Sequence, residues 1–324
     1  MAVAREASTT EASTREAEPD AAAGSARELP ELHGVVPILL TTFDDHGHLD
    51  EESLRREVDF AIGAGVHGLG IALGSEVYKL TEVERDAVVR TVVDQARGRV
   101  PVMMNTGTQA THTAVHYSER AQHLGVSAVI CTSPGPGIPT SEVRHYFASI
   151  AHRVDVPLII QDTATNHVPP ALIRSLGDEY PTIRYAKVES APPVLRVYEA
   201  VQACGRSIGV FGGAGGSGFL QELRRGSVGT MPWASTPGPF VEVWRLWRQG
   251  DRDAAWQVFD AELAPVLRIA AGSLGAGQLL HKELLRRQGV IASAHVRRPA
   301  DQIDPVTWAE LDEVCARLGL GVQG

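Results

Sequence analysis

Eight short apolar runs, each followed by a longer amphipathic stretch, constrain this chain more than any other feature of its sequence. The runs cover residues 35–43, 68–74, 100–107, 127–134, 157–162, 183–190, 208–213 and 228–233. Most are continuously apolar and lack strict alternation, which is the pattern of parallel strands covered on both faces. Helical patterns lie between them over residues 52–64, 82–96, 111–124, 141–153, 170–179, 194–203 and 218–225. Thr81 and Glu84 have the spacing of a capping box at the start of the second of these. Eight β units alternating with helices predict a closed (β/α)8 TIM barrel. An open doubly wound sheet is the rival, weakened by the lack of a GxGxxG after the first run. Further amphipathic patterns over 250–271, 274–288 and 305–318 predict a C-terminal helical appendage. The expected organisation is a tail over residues 1–31, a barrel over 32–240 and packed helices over 241–324.

Composition narrows the partners. The first thirty residues are rich in Ala, Glu, Ser and Thr, hold no aromatic residue, and are expected to be disordered. They also lack the apolar stretch of a secretory signal. No apolar run approaches the roughly 20 residues that cross a bilayer, and a net charge of −9 opposes binding to nucleic acid or anionic lipid. The expectation is a cytoplasmic protein without membrane or nucleic-acid partners. Cys131, Cys204 and Cys315 are odd in number, widely spaced and outside any CxxC, so buried thiols are expected in place of disulfides or zinc ligands. No metal and no cofactor is anticipated.

Lysine usage says more. Of 30 basic residues only Lys79, Lys187 and Lys282 are lysines, and arginine cannot form a Schiff base. Barrel enzymes place their chemistry at the C-terminal ends of the strands, here residues 41–43, 74–76, 105–108, 132–136, 161–162, 187–189, 212–216 and 231–233. Lys187 lies inside the sixth run. A buried ammonium is expensive unless paired, and desolvation favours the neutral amine that attacks a ketone. The alternative is a structural ion pair with Glu189 or Asp162. Lys79 reads as a solvated loop lysine, and Lys282 as a surface or interface residue.

Several segments resemble the dihydrodipicolinate synthase/N-acetylneuraminate lyase family of class I aldolases and dehydratases. They are Pro37-Ile-Leu-Leu-Thr-Thr-Phe43 with Asp45-x-Gly47-x-Leu49-Asp50, the Gly74-Ser75-Glu76 turn leading to Leu80-Thr81, Gly98-Arg-Val-Pro-Val102, Asn105-Thr-Gly107, and Ala186-Lys187-Val-Glu189-Ser190. The likeness runs from about residue 34 to 320. It implies the barrel fold, a Schiff-base role for Lys187 on pyruvate or another 2-keto acid, and a homotetramer or homodimer. There are departures from the family pattern. Family synthases carry Gly-Thr-Thr-Gly-Glu after strand two, whereas this chain has Ala72-Leu73-Gly74-Ser75-Glu76. The family's Tyr-Tyr pair after strand four is replaced by Ser133-Pro134-Gly135-Pro136-Gly137. Its Tyr-Asn-Val-Pro-Gly-Arg stretch becomes Gln161-Asp162-Thr163-Ala164-Thr165-Asn166, without the arginine for a second carboxylate. These departures imply a divergent branch and argue against lysine biosynthesis.

With the shuttle tyrosine missing, Glu76 is the first candidate for proton transfer, ahead of Asp162, Glu189 and Tyr78. Capping of the following helix is the alternative for Glu76. Gly74 and Ser75 are expected to hold the keto-acid carboxylate. Gln161, Glu189, Gly212 and Gly213 are expected to meet the rest of the substrate, although a tight turn explains the glycines equally well. His167 and His281 are assigned to structure. Aldol cleavage or condensation ranks first as the reaction. Loss of water from a 2-keto-3-deoxy sugar acid uses the same lysine, and a keto-acid-binding homologue without turnover is the third reading.

Overall fold

Each apolar run meets a parallel strand, and the strands are shorter than the runs. In the computed structural model, which describes residues 31–271 and 274–321, they are β1 (Gly34–Val35), β2 (Leu69–Ile71), β3 (Val102–Asn105), β4 (Ala128–Thr132), β5 (Leu158–Asp162), β6 (Ile183–Val188), β7 (Gly209–Gly212) and β8 (Gly229–Thr230). The expected tail lies outside the described residues as far as residue 30. The sheet runs β1-β8-β7-β6-β5-β4-β3-β2. Ile38 closes it by bridging Gly70 on one side and Trp233 on the other, with Leu39 N–H donating to Gly70 O at 2.8 Å. This is the expected (β/α)8 barrel. β1 is brief because Pro37 has no N–H to give the ladder.

The barrel helices are α1 (Glu51–Gly63), α2 (Glu82–Ala96), α3 (Thr111–His123), α4 (Thr140–Ala151), α5 (Pro170–Glu179), α6 (Pro193–Cys204), α7 (Phe219–Leu223) and α8 (Pro237–Gln249). The capping box forms, with Thr81 N–H donating to Glu84 Oε2 at 2.9 Å. α8 straddles the expected boundary at 240/241, so the eighth barrel helix runs on to Gln249. Its opening, Thr236-Pro237-Gly238-Pro239, looks like a loop, yet proline is well tolerated in a first turn. Beyond it the expected helix over 250–271 divides into α9 (Arg252–Val258), a π turn (Phe259–Leu263) and α10 (Ala264–Ile269). Pro265 cannot donate to the preceding turn, which accounts for the break. α11 (Leu274–Arg287) and α12 (Pro305–Leu318) complete the appendage. No helix among the described residues is long and apolar enough to cross a membrane.

The core has two layers set by the period of two along each strand. Met103, Ile130, Ile159, Tyr185, Phe211 and Met231 fill the barrel interior. Met104, Val129, Ile160, Ala186 and Val210 face the helices. Continuing each strand by this alternation puts Gln161, Lys187, Glu189 and Gly213 on the interior side. Asp162, Val188 and Gly212 fall on the helix side.

Candidate active site

Lys187 stands one pleat above Tyr185 at the C-terminal end of β6 and is 3% exposed. Its Nζ lies 3.2 Å from Glu189 Oε1. The same oxygen accepts the backbone N–H of Ala214 at 3.1 Å. Gln161 Nε2 donates to Glu189 Oε2 at 2.5 Å, and Asn105 Nδ2 donates to Gln161 Oε1 at 3.2 Å. Two donors therefore fix one carboxylate beside one amine. The group opens into a cavity of about 540 Å³, within the roughly 300–1,000 Å³ usual for small-molecule sites. Among the described residues that line it, Lys187 is the one cation and Glu189 the one carboxylate.

Glycines make room for this arrangement. A Cβ on Gly213 would fall 2.4 Å from Glu189 Oε1, and one on Gly74 would fall 2.8 Å from Trp233 Cζ3. Gly74, Gln161, Lys187 and Glu189 all border the cavity, and Gly213 supports it from beneath Glu189.

The other expected residues are used differently. Glu76 turns away in a left-handed conformation, φ 56° and ψ 25°, and is fully buried between Lys79 Nζ at 2.9 Å and Lys282 Nζ at 2.5 Å. It does not line the cavity, and its carboxylate serves two ammonium groups. Lys79 and Lys282 are thus buried ion-pair partners, in place of the solvated and surface lysines expected. Burial pulls Lys282 below the ordinary lysine range, with Glu76 opposing. Asp162, on the helix side of β5, accepts from His167 Nδ1 and Val168 N–H, each at 2.8 Å, and from Ser190 Oγ. These bonds pin the loops after β5 and β6, so His167 has the structural place expected of it. The Ser75 hydroxyl donates to Leu39 O and accepts from Ala72 N–H at 3.0 Å, leaving it committed to the turn. Gly212 faces Glu222 on α7 and not the cavity. Tyr78 is 54% exposed and reaches Gln278 Nε2 at 3.3 Å.

Trp233, at the end of the eighth apolar run, and His281 border the cavity although neither is among the residues expected to meet substrate. Trp233 forms an apolar wall against Gly74, Gly215 and Gly277 and stacks on His281, with centroids 4.9 Å apart. His281, expected to be structural, borders the cavity from α11. Its Nδ1 lies 2.7 Å from Ser235 Oγ. Burial holds it neutral by lowering its pKa to about 3. No local pattern marks a helix residue that closes a barrel mouth from more than ninety positions away from Lys187.

The model of the dihydrodipicolinate synthetase family matches residues 31–316. The chain belongs to that family. Its members are lyases, and so is this protein. An L-2-keto-3-deoxyarabonate dehydratase of Azospirillum brasilense is 32% identical over 298 residues, covering 89% of this chain and 95% of the relative. A 4-hydroxy-tetrahydrodipicolinate synthase of Methanococcus vannielii is 34% identical over 179 residues, which is 53% of this chain and 61% of that protein. Among solved structures, dihydrodipicolinate synthase from Rhodopseudomonas palustris superposes with a TM-score of 0.82 at 26% identity, over 91% of this chain and 100% of that one. A prophage protein of the family from E. coli K12, solved in complex with pyruvate, shares the fold at a TM-score of 0.82 and 24% identity, over 89% and 99% of the two chains.

Proposed function

We propose that the protein is a class I dehydratase that forms a Schiff base between Lys187 and a 2-keto-3-deoxy sugar acid and removes one water. The observation that carries this reading is a buried amine beside a single carboxylate at the mouth of the cavity. The amine attacks the C2 carbonyl, the carbonyl oxygen leaves as water, and the iminium becomes an electron sink. Glu189 takes a proton from C3 to give the enamine, which expels the C4 hydroxyl as that oxygen receives a proton from Glu189. Hydrolysis of the imine uses one water and returns Lys187 with the dehydrated keto acid. Two waters leave and one is consumed, so a turnover releases one water and changes no oxidation balance.

The sequence alone ranks aldol chemistry first. Elimination moves ahead because the relative aligned over 95% of its length is a dehydratase, and because Lys187 is the one cation among the described residues lining the cavity. The charge of the Lys187 iminium is spent on the bound keto acid, and among the described residues lining the cavity no other side-chain cation serves a second carboxylate, which favours a monocarboxylate substrate. Gly74 stands where the acid's carboxylate would meet the β2 turn. A homodimer or homotetramer in the cytoplasm belongs to the same reading, and Leu195 and Tyr198, 48% and 44% exposed on α6, offer apolar surface for assembly.

The test is incubation with 2-keto-3-deoxy pentonates and hexonates, alongside borohydride trapping with pyruvate and mass mapping. An adduct on Lys187 and a product lighter by one water are expected. Release of pyruvate and an aldehyde would assign aldol cleavage, and lack of any adduct would overturn the Schiff base. Gly213→Ala is expected to lower kcat/KM about 10²-fold by pushing Glu189 out of line with Lys187, since an ångström of misplacement costs that much. Its Tm, read by thermal denaturation, should change little, because the displaced side chain reaches solvent.

A further inference from the structure

On the helix side of β7, directly behind the Lys187 cavity, lies a carboxyl group that the mechanism above does not use. Glu222 on α7 is 0% exposed, and among the described residues neither of its oxygens has a hydrogen-bond partner. It is clamped by glycine backbone: a Cβ on Gly212 would sit 1.7 Å from its Oε2, and one on Gly218 would sit 2.8 Å from its Oε1. Gly212 and Gly213 point to opposite faces of the strand end, one against Glu222 and the other against Glu189. A two-glycine strip of backbone therefore separates the two carboxyl groups.

An isolated carboxylate cannot be held in such surroundings without a cation or donors, so the group is retained as the acid. Among the described residues, the charged groups on neighbouring elements do not supply a cation. On α6, Arg196 and Glu199 pair with each other at 2.7 Å. On β6, Lys187 faces the interior and pairs with Glu189. At the end of α7, Arg225 donates to Gln221 O, and Arg224 is exposed. Burial, and then the charge of Glu189, push the Glu222 carboxyl up to about 8.

We infer that Glu222 is a positioning residue for the reaction, a neutral acid behind β7 whose ionisation would set a second negative charge against Glu189 and disturb its pairing with Lys187. This rests on the Schiff-base reading for its catalytic consequence but not for its protonation state. While Glu222 keeps its proton, Glu189 faces Lys187 as the sole anion and its two oxygens stay with Lys187, Ala214 and Gln161. When the proton leaves, like charges oppose each other across Gly212 and Gly213, and the site loses the geometry it needs.

The decisive comparison is between the wild type and Glu222→Gln, an isostere of the neutral acid. The kcat/KM of the wild type is expected to fall above pH about 8 while that of Glu222→Gln holds, the two diverging about tenfold by pH 9 as a one-proton step requires. A second readout needs no activity. The folded chain keeps a proton on Glu222 that the unfolded chain releases above about 4.5, so stability is lost as pH rises from there to about 8. The Tm of the wild type should therefore drop relative to Glu222→Gln across that window. Glu57, also raised to about 8 by burial, acts equally in both proteins and cancels. Should Glu222→Gln fail to fold, infrared spectra of the wild type at neutral pH still show whether a protonated carboxyl is present, with Glu57→Gln used to separate the two bands. Parallel Tm curves, or no protonated carboxyl beyond that of Glu57, would overturn the proposal. Parallel Tm curves with normal trapping on Lys187 would sink this inference alone, and failure of trapping with divergent curves would sink the Schiff-base reading and the catalytic consequence drawn from it, leaving the protonated state of Glu222 standing.

Discussion

Lys187→Met is expected to lose at least about 10³-fold in kcat/KM, equivalent to roughly 4 kcal/mol of barrier, and to give no borohydride-stable adduct with pyruvate. Methionine fills a similar volume, so the β6 packing above Tyr185 should survive. Glu189 keeps its bonds from Gln161 and Ala214 and is 21% exposed at the side chain, which limits the penalty of leaving it without its cation. The folded fraction, followed by circular dichroism, should therefore be close to wild type while turnover is gone. Lys187→Arg gives a sharper contrast, because a guanidinium restores the charge beside Glu189 but cannot form the imine. The remaining lysines are no substitutes: both are committed to Glu76. Full turnover in Lys187→Arg, or an adduct mapped to Lys79 or Lys282, would remove Lys187 from the chemistry.

The barrel was legible because strands covered on both faces appear as uninterrupted apolar runs, and eight of these leave few topologies open. Lys187 was legible for the same reason, as a charge inside such a run. What failed was the direction of side chains at strand ends. Gln161 and Asp162 are neighbours in sequence, but the pleat sends Gln161 to the cavity and Asp162 to the loops. Both were expected to meet substrate or protons, and the alternation needed to separate them is set by which residues of β5 face inward. Glu76 leaves the pleat altogether, through a left-handed turn that a glutamate rarely adopts. His281, Lys282 and Glu222 could not be placed from sequence, because each acquires its environment from an element distant in the chain. An amphipathic helix pattern states that one face is buried, and not against which charge.

Lys282→Met should lower stability by about 3 kcal/mol, at the lower end of the 3–5 kcal/mol lost when a buried ion pair loses one partner. At roughly 2 °C per kcal/mol for a domain this large, the Tm falls by about 6 °C. The argument is one of unmet charge. Glu76 is fully buried and bonded to Lys282 at 2.5 Å, while Lys282 also donates to His295 O at 2.7 Å and lies 4.6 Å over the Phe43 ring. The lysine thus joins α11 to the β2 turn and to the segment before α12. Lys79, 2.9 Å from Glu76, keeps the loss from reaching the upper end. Combining Lys282→Met with Glu76→Gln should recover part of the deficit, since the two residues share one interaction and their effects are not additive. The pH dependence follows from Glu57, which burial raises to about 8 against the opposing pull of Lys282. A carboxyl raised in this way contributes stability that is lost as pH climbs through its folded value, and removing Lys282 makes its ionisation costlier still. The Tm gap between Lys282→Met and the wild type should therefore be wider at pH about 8.5 than at pH about 6. A deficit below about 1 kcal/mol, the size expected of an exposed lysine, would mean that the Glu76 cluster does not hold the appendage to the barrel.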